Sequence, residues 1–107
     1  MDDLHPQLKD CEKLLITMKK NKASDFRMTG GARPSFRIAG TWHEVGNRPL
    51  KDGEVRRMVE ELFTPESVAA VFSGTEIQAS CPVPGRGETF VRVFLSDGEL
   101  TMTAADA

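Results

Sequence analysis

Arginines on predicted strands are the residues of this 107-residue chain best suited to bind a charged partner. Arg27, Arg37 and Arg92 each lie in a stretch where apolar and polar residues alternate, which predicts a β-strand, and Arg33 lies just before the second of these strands. If these strands are neighbours, the guanidinium groups line one face of a sheet and can bind an anionic ligand or an acidic partner. The alternative is cross-strand pairing, which stabilises a sheet by only about a few tenths of a kcal/mol per pair. The acidic residues available for such pairing are Asp25, Glu44 and Glu76.

A tryptophan and a histidine occupy adjacent positions on another predicted strand. Trp42, the only tryptophan, either anchors a protein contact or covers the core. His43 and Glu44 point to opposite sides of the strand, so they do not form an acid–base pair, and we interpret His43 as a surface residue. The possible contacts to a protein partner or an anion are therefore predicted to be Arg27, Arg37, Trp42, His43 and Arg92.

Residues that could perform catalysis or bind metal lack the necessary spacing. His5 and His43, the only histidines, are not paired in sequence, and the two cysteines form no metal motif. Neither Cys11 nor Cys81 has a neighbouring base, and no Gly-x-Ser-x-Gly run occurs. The cysteines are typical of small buried hydrophobic residues in a reducing cytosol. The sequence thus predicts no catalytic residue, no metal and no cofactor.

The composition is that of one ordinary globular domain, which we expect to span residues 1–107. Hydrophobic residues make up 39% and charged residues 28% of the chain, which argues against disorder. The net charge is −2 and there is no long basic block, so nucleic acid is not an expected partner. No run of about 18 apolar residues or signal sequence occurs, which predicts a cytoplasmic protein without membrane insertion.

Hydrophobic periodicity predicts three helices and six strands in the order αβββααβββ. The first helix is predicted from Pro6 to Lys20, and the other two begin at Asp52 and Thr64. Hairpin connections dominate, so we expect an α+β fold with helices packed on an antiparallel sheet of about six strands. Apolar residues on both faces of the fifth strand predict that it is central or covered on both sides. The predicted strands comprise residues 25–29, 35–38, 41–45, 77–83, 89–95 and 100–103, and residues 104–107 are expected to fray.

The order and spacing of these elements, from about Leu14 to Thr103, resemble the N-terminal domain of twitching-motility and type II/IV secretion ATPases of the PilT type. The matching motifs are Ala23-Ser24-Asp25, Arg37-Ile38-Ala39-Gly40, Pro49-Leu50, Leu62-Phe63-Thr64-Pro65-Glu66, Val83-Pro84-Gly85 and Phe90-Val91-Arg92-Val93-Phe94. The chain departs from the family at Arg27, where a histidine is usual, and at Arg92, where an asparagine is common. The resemblance implies a PAS-like domain from a bacterial pilus or secretion machine.

In that family the domain precedes an ATPase domain and packs on the ATPase domain of a neighbouring subunit in a ring. The chain ends at Ala107, where that motor domain should begin, and it contains no phosphate-binding loop. Residues 84–87 are the nearest glycine-rich run, but they lack the lysine and lead into a strand. The family's last hairpin is basic, whereas the corresponding turn here carries Asp97 and Glu99, which repel phosphate.

We therefore expect a stand-alone, non-catalytic interaction or regulatory domain. Its partner would be a motor subunit of a pilus or secretion ATPase, another component of that machine, or a second copy of itself. The alternative is a PAS-like sensor of a nucleotide or other small molecule, which requires polar residues inside the domain. The candidates for such interior positions are Gln78, Cys81 and Arg92.

Overall fold

Three helices and six strands follow one another in the predicted order in the computed structural model, which describes residues 10–83 and 85–106. The helices are α1 (Asp10–Lys20), α2 (Asp52–Val59) and α3 (Pro65–Phe72). The strands are β1 (Asp25–Thr29), β2 (Ser35–Ile38), β3 (Thr41–Glu44), β4 (Ile77–Pro82), β5 (Glu88–Ser96) and β6 (Glu99–Asp106). The predicted α+β class is confirmed. The predicted start of the first helix at Pro6, together with His5, Pro84 and Ala107, lies outside the described residues.

All six strands form one antiparallel sheet in the order β3-β2-β1-β6-β5-β4. The first and last strands of the chain therefore lie side by side at its centre. Apolar side chains at alternate positions of the strands form one core with the inner faces of the helices, because burying both together removes the most apolar surface from water. The largest fully buried strand side chains are Phe26, Met28, Phe36, Val91, Val93 and Met102.

The strand β5 has a paired strand on each side, so it is an interior strand of the sheet, which is one of the two predicted alternatives. It is not covered on both faces, because Phe90 and Arg92 on its outer face are exposed, with 41% of Phe90 accessible to solvent. The alternative of a second covering layer is therefore wrong, since an antiparallel sheet can leave one face open to water even where that face carries aromatic residues.

The strand β6 is longer than predicted, since it continues through Asp106. Ala104 pairs with Phe26 and Ala105 with Asp25, and the Asp106 amide donates to the Ser24 carbonyl at 3.0 Å. The prediction that residues 104–107 fray was therefore wrong for residues 104–106. Ala104 is 2% exposed, and a small side chain fits where two neighbouring strands and the core meet.

Two tight hairpins connect neighbouring strands, β2 to β3 and β5 to β6. The turn at Ala39-Gly40 has φ values of 51° and 82°, and the turn at Asp97-Gly98 has 51° and 79°. Positive φ at both central residues defines a type I′ turn, whose twist matches that of the flanking strands. The first hairpin holds β3 against β2, so that β3 becomes one edge of the sheet.

Helix starts follow the predicted signals closely. Thr64 caps α3, because its Oγ1 accepts a hydrogen bond from the Ser67 amide at 3.2 Å. At α2 the cap position is Lys51, one residue before the predicted Asp52, and the Lys51 amide donates to Oε1 of Glu54 at 3.0 Å. A shift of one residue at a helix end is within the ordinary variation of helix boundaries.

Candidate interaction surface on the open face of the sheet

One face of the sheet, opposite the core, carries most of the predicted contact residues, and we call it the open face. Strand register aligns its side chains in rows, because successive residues alternate between faces and paired residues share a face. One row across the sheet comprises Trp42, Arg37, Asp25, Ala105, Phe90 and Ser80. The next row comprises Glu44, Ser35, Arg27, Thr103, Arg92 and Gln78.

Arg27 and Arg37 are neighbours on the open face, and their side chains lack partners within the described part of the chain. Arg37 pairs in register with Asp25, and Arg27 with Ser35, so the two arginines are diagonal neighbours roughly 7–8 Å apart at Cα. Both are exposed, and neither guanidinium group forms a hydrogen bond or ion pair with a residue in 10–83 or 85–106. Asp25 instead accepts a hydrogen bond from the Ser24 hydroxyl at 2.8 Å. The predicted cross-strand pairing is therefore not formed by these two arginines.

Arg92 is on the same face but is engaged by an acidic partner. Its guanidinium donates to both carboxylate oxygens of Glu76, at 2.8 and 3.3 Å, and lies over the Phe94 ring at 5.6 Å from the centroid. The hydrogen bond from Arg92, followed by one from Gln78 at 2.6 Å, lowers the pKa of Glu76. Arg92 therefore follows the pairing alternative, and it lies two strands away from Arg27.

Trp42 stands beside Arg37 at the edge of the open face. Its side chain is 49% exposed and its register partner is Arg37, so it does not cover the core. His43 pairs with Phe36 and is exposed on the opposite side of β3, away from the other four predicted residues. The structure thus brings three of the five together, namely Arg27, Arg37 and Trp42.

The backbone of β3 adds a feature that side-chain patterns alone do not reveal. The Val45 amide donates to the Pro34 carbonyl at 2.8 Å, so Val45 is at a position that is hydrogen-bonded to the chain of β2. In an antiparallel ladder, hydrogen-bonded and non-hydrogen-bonded pairs alternate along the strand, which makes His43 bonded and its two neighbours non-bonded. Trp42 and Glu44 are therefore at non-bonded positions toward β2, and their N–H and C=O groups point outward along the free edge. All four residues of β3 are exposed.

Phe90 and Phe72 are exposed aromatic residues that sequence reasoning did not select. Phe90 is in the same open-face row as Trp42, across Ala105 and Asp25. Phe72 is 46% exposed on the helix side, where Arg56 lies 5.2 Å from the ring centroid. The apolar residues at alternate positions of β5 place Phe90 on the face opposite the core, but this pattern indicates a second covering layer as readily as an exposed aromatic residue.

A groove of about 270 Å³ on the helix side is lined in part by charged residues. Its lining includes Asp52, Arg56, Phe72 and Glu99. A hydrogen bond to Asp52 and the negative charge of that carboxylate raise the pKa of Glu99. Glu99 starts the last strand, so the charge at the end of the last hairpin is negative, as the sequence indicates. A second groove of about 310 Å³ lies between α1, α2 and the loop before α2.

The remaining chemical groups offer no catalytic or metal-binding arrangement in residues 10–83 and 85–106. No set of three or more His, Cys, Asp or Glu residues there could hold a metal ion. Both cysteines are buried free thiols, and burial raises the pKa of Cys11 far above its usual range, which makes it a poor nucleophile. Among the same residues, no helix is both long and apolar enough to cross a bilayer.

The arrangement of one antiparallel sheet with the three described helices packed on it defines an α+β domain, and that domain fold is found within solved structures of a pilus retraction motor and of an ATPase. The pilus retraction motor PilT, solved with bound ADP, matches with a TM-score of 0.76 and 20% identity. The match covers 94% of this chain and 29% of the PilT chain. The expected resemblance to PilT-type ATPases is confirmed at the level of the fold.

The ATPase DotB provides two further matches. DotB from Legionella pneumophila has a TM-score of 0.78 and 20% identity over 88% of this chain and 27% of its own. DotB from Yersinia pseudotuberculosis has a TM-score of 0.67 and 14% identity over 94% of this chain and 30% of its own. This chain thus spans less than a third of the solved chains that it matches. No protein-family model matches it, and no curated protein sequence matches it significantly.

Proposed function

We propose that this chain is a non-catalytic interaction and regulatory domain of a bacterial pilus or secretion machine, acting in the cytoplasm. The observation that carries the proposal is the cluster of Arg27, Arg37 and Trp42 on the open face. Tryptophan and arginine are the residues most enriched at the energetic centres of protein interfaces. Here the tryptophan is 49% exposed and both arginines are unpaired among the described residues, so their capacity for contact is unused within the domain.

The partner that we propose is a motor subunit of a PilT-type ATPase, another component of the same machine, or a second copy of this chain. The likeness of fold to PilT and DotB supports a place beside such a motor. The acidic residues near the last hairpin support a non-catalytic role, because carboxylates at Asp97 and Glu99 disfavour contact with a nucleotide phosphate.

The sensor alternative receives less support from the positions of its candidate residues. Gln78 and Arg92 lie on the open face and bind Glu76 there, so they do not line an interior cavity. Cys81 is buried, but it packs within the apolar core. A thermal-shift screen of nucleotides and common metabolites should therefore leave the melting temperature unchanged, whereas a concentration-dependent rise would favour the sensor.

The proposal is tested directly by measuring the binding of this domain to a PilT-type ATPase from the same organism. Self-association of the domain is measured separately by analytical ultracentrifugation. We expect Trp42→Ala to weaken the association at least about tenfold, as is typical of a central interface tryptophan. Phe72→Ala is the matched control, because Phe72 is similarly exposed but lies on the helix side. Equal losses in the two variants, or no association of the unmodified domain with a motor or with itself, would overturn the proposal.

A further inference from the structure

The two edges of the sheet differ in their readiness to accept another strand. On β4 the same alternation places Gln78, Ser80 and Pro82 at outward positions, and Pro82 has no N–H to donate. On β3 the outward residues are Trp42 and Glu44, which present both donors and acceptors. The strand β3 contains no proline, lysine or bulge, which are three of the devices that block edge pairing, and its protection consists of its short length of four residues.

The charge beside this edge favours an acidic occupant. Ion pairs with carboxylates engage five other arginines of the described residues, namely Arg33, Arg48, Arg56, Arg57 and Arg92. The Glu44 carboxylate on β3 is the partner of Arg33 at 3.6 Å. Arg27 and Arg37 have no such partner among the described residues; on the open face, Arg37 lies on the strand next to β3 and Arg27 one strand farther. Arg86 also lacks one, but it lies in the turn between β4 and β5 at the other end of the sheet.

We propose that the free edge of β3 binds an extended segment of a partner protein whose acidic side chains alternate along one face. This inference rests on the proposed interaction function and specifies the mode of contact. The main chain of the segment bonds to the outward groups of Trp42 and Glu44, as in other cases of strand addition. Its carboxylates lie on the open face and pair with Arg37, with Arg27 adding positive charge one strand farther in. Its aliphatic parts cover the Trp42 ring.

Distances and area are consistent with this arrangement. An added strand lies two spacings, roughly 10 Å, from Arg37 on β2, and an extended glutamate and an extended arginine together bridge that distance. Arg27 on β1 lies a third spacing away, roughly 14 Å, and contributes positive charge at longer range. A stable interface buries roughly 1,200–2,000 Å² in total, more than an edge of four residues such as β3 supplies. Two copies joined only through β3 would therefore bury too little surface for a stable interface. A segment that also lies over Arg37 and Trp42 buries additional area beyond that of the edge.

A capped nine-residue peptide that alternates glutamate and valine tests the inference, with a lysine–valine peptide as the control. Fluorescence anisotropy should show at least about tenfold tighter binding of the glutamate peptide, with affinity falling as salt rises. Hydrogen exchange measured by NMR should show added protection at the amides of Trp42 and Glu44. Equal binding of both peptides, or bound peptide without protection at these two amides, would refute strand addition.

Substitutions separate the charge from the backbone contribution. Arg27→Gln together with Arg37→Gln should weaken binding about tenfold or more, and Arg86→Gln should leave it unchanged. Glu44→Pro removes an outward N–H without removing a bond to β2, so it should abolish binding, whereas Glu44→Ala should retain it. The arginine variants replace exposed side chains, which keeps the test valid if the proline variant does not fold.

The outcomes also separate this inference from the proposed function. If Trp42→Ala disrupts binding to the motor but the glutamate peptide gives no amide protection, the interaction function stands and strand addition is refuted. If the amides of β3 become protected only as the concentration of the free domain increases, the occupant is a second copy and the acidic segment is the wrong assignment. If the glutamate peptide binds the edge while no motor binds, the proposed partner is wrong but the site stands.

Discussion

Ala39 is the residue at which a single substitution should stabilise the domain. Its φ of 51° is in the left-handed region, where an ordinary side chain costs about 1–2 kcal/mol because Cβ approaches the following carbonyl oxygen. Asparagine tolerates this region better, and Asn-Gly is the preferred pair for a type I′ turn. Ala39 is exposed, so the new side chain meets no packed neighbours. We expect Ala39→Asn to stabilise the domain by about 0.5–1 kcal/mol.

The second hairpin supplies the matched control, since Asp97 has the same φ of 51° and precedes a glycine as Ala39 does. Asp97→Ala should therefore destabilise the domain by a similar amount, and the double variant should be close to the unmodified domain. Urea unfolding followed by circular dichroism measures each change as a shift in midpoint at constant slope. For a domain of this size, about 1 kcal/mol corresponds to a melting shift of roughly 4 °C.

A loss of stability in Ala39→Asn would refute this account of the turn. The account would also be refuted if Ala39→Asn had no effect while the control Asp97→Ala destabilised the domain. Either result would mean that Ala39 does not have positive φ in solution. A changed slope would instead indicate that the substitution altered the compactness of one of the two states. Trp42 is close enough in sequence for its fluorescence to report whether β3 keeps its position in the variant.

Two further predictions concern pH. Glu99→Gln removes the unfavourable proximity of two carboxylates, Glu99 and Asp52. Because folding raises the pKa of Glu99, the stability of the unmodified domain declines as pH rises through the carboxylate range and Glu99 ionises. The variant should therefore have a higher melting temperature than the unmodified domain at pH 7 and the same melting temperature at pH 3. Equal melting temperatures at pH 7 would contradict this. In Arg48→Gln the two 2.7 Å bonds that help to hold the pKa of Glu54 at about 2 are lost, so NMR titration should find that pKa closer to 4.5. Because the folded-state pKa of Glu54 is depressed, the Arg48–Glu54 ion pair stabilises the domain above about pH 4.5, and this stabilisation disappears as pH falls through 2. If Arg48→Gln still has a lower melting temperature than the unmodified domain at pH 2, the ion pair is not the cause of the difference.

Local patterns in the sequence were sufficient for the elements and for part of the site. Alternation along each strand predicted that Arg37 faces away from Phe36, and the Thr64-Pro65 pair predicted the start of a helix. The same alternation separated His43 from Glu44. These features depend on residues a few positions apart, where the period of the side chains and the chemistry of caps and turns decide the outcome.

Partners across the sheet could not be predicted in the same way. Arg27, Arg37 and Arg92 gave equivalent signals in sequence, yet among the described residues only the Arg92 side chain forms an ion pair, with Glu76. Similarly, nothing local to Ala104 indicates that it pairs with Phe26 in the centre of the sheet. Which strand lies beside which depends on contacts between residues that are distant in the chain.

The amino-acid sequence alone therefore determined the order of helices and strands, the side of each strand on which a residue lies, and the resemblance to PilT-type N-terminal domains. Only the tertiary structure decided that Arg27, Arg37 and Trp42 share one open surface beside a free edge. The physical reason is that side-chain periodicity is a local property of the backbone, whereas strand order and register are selected by burial of the whole core.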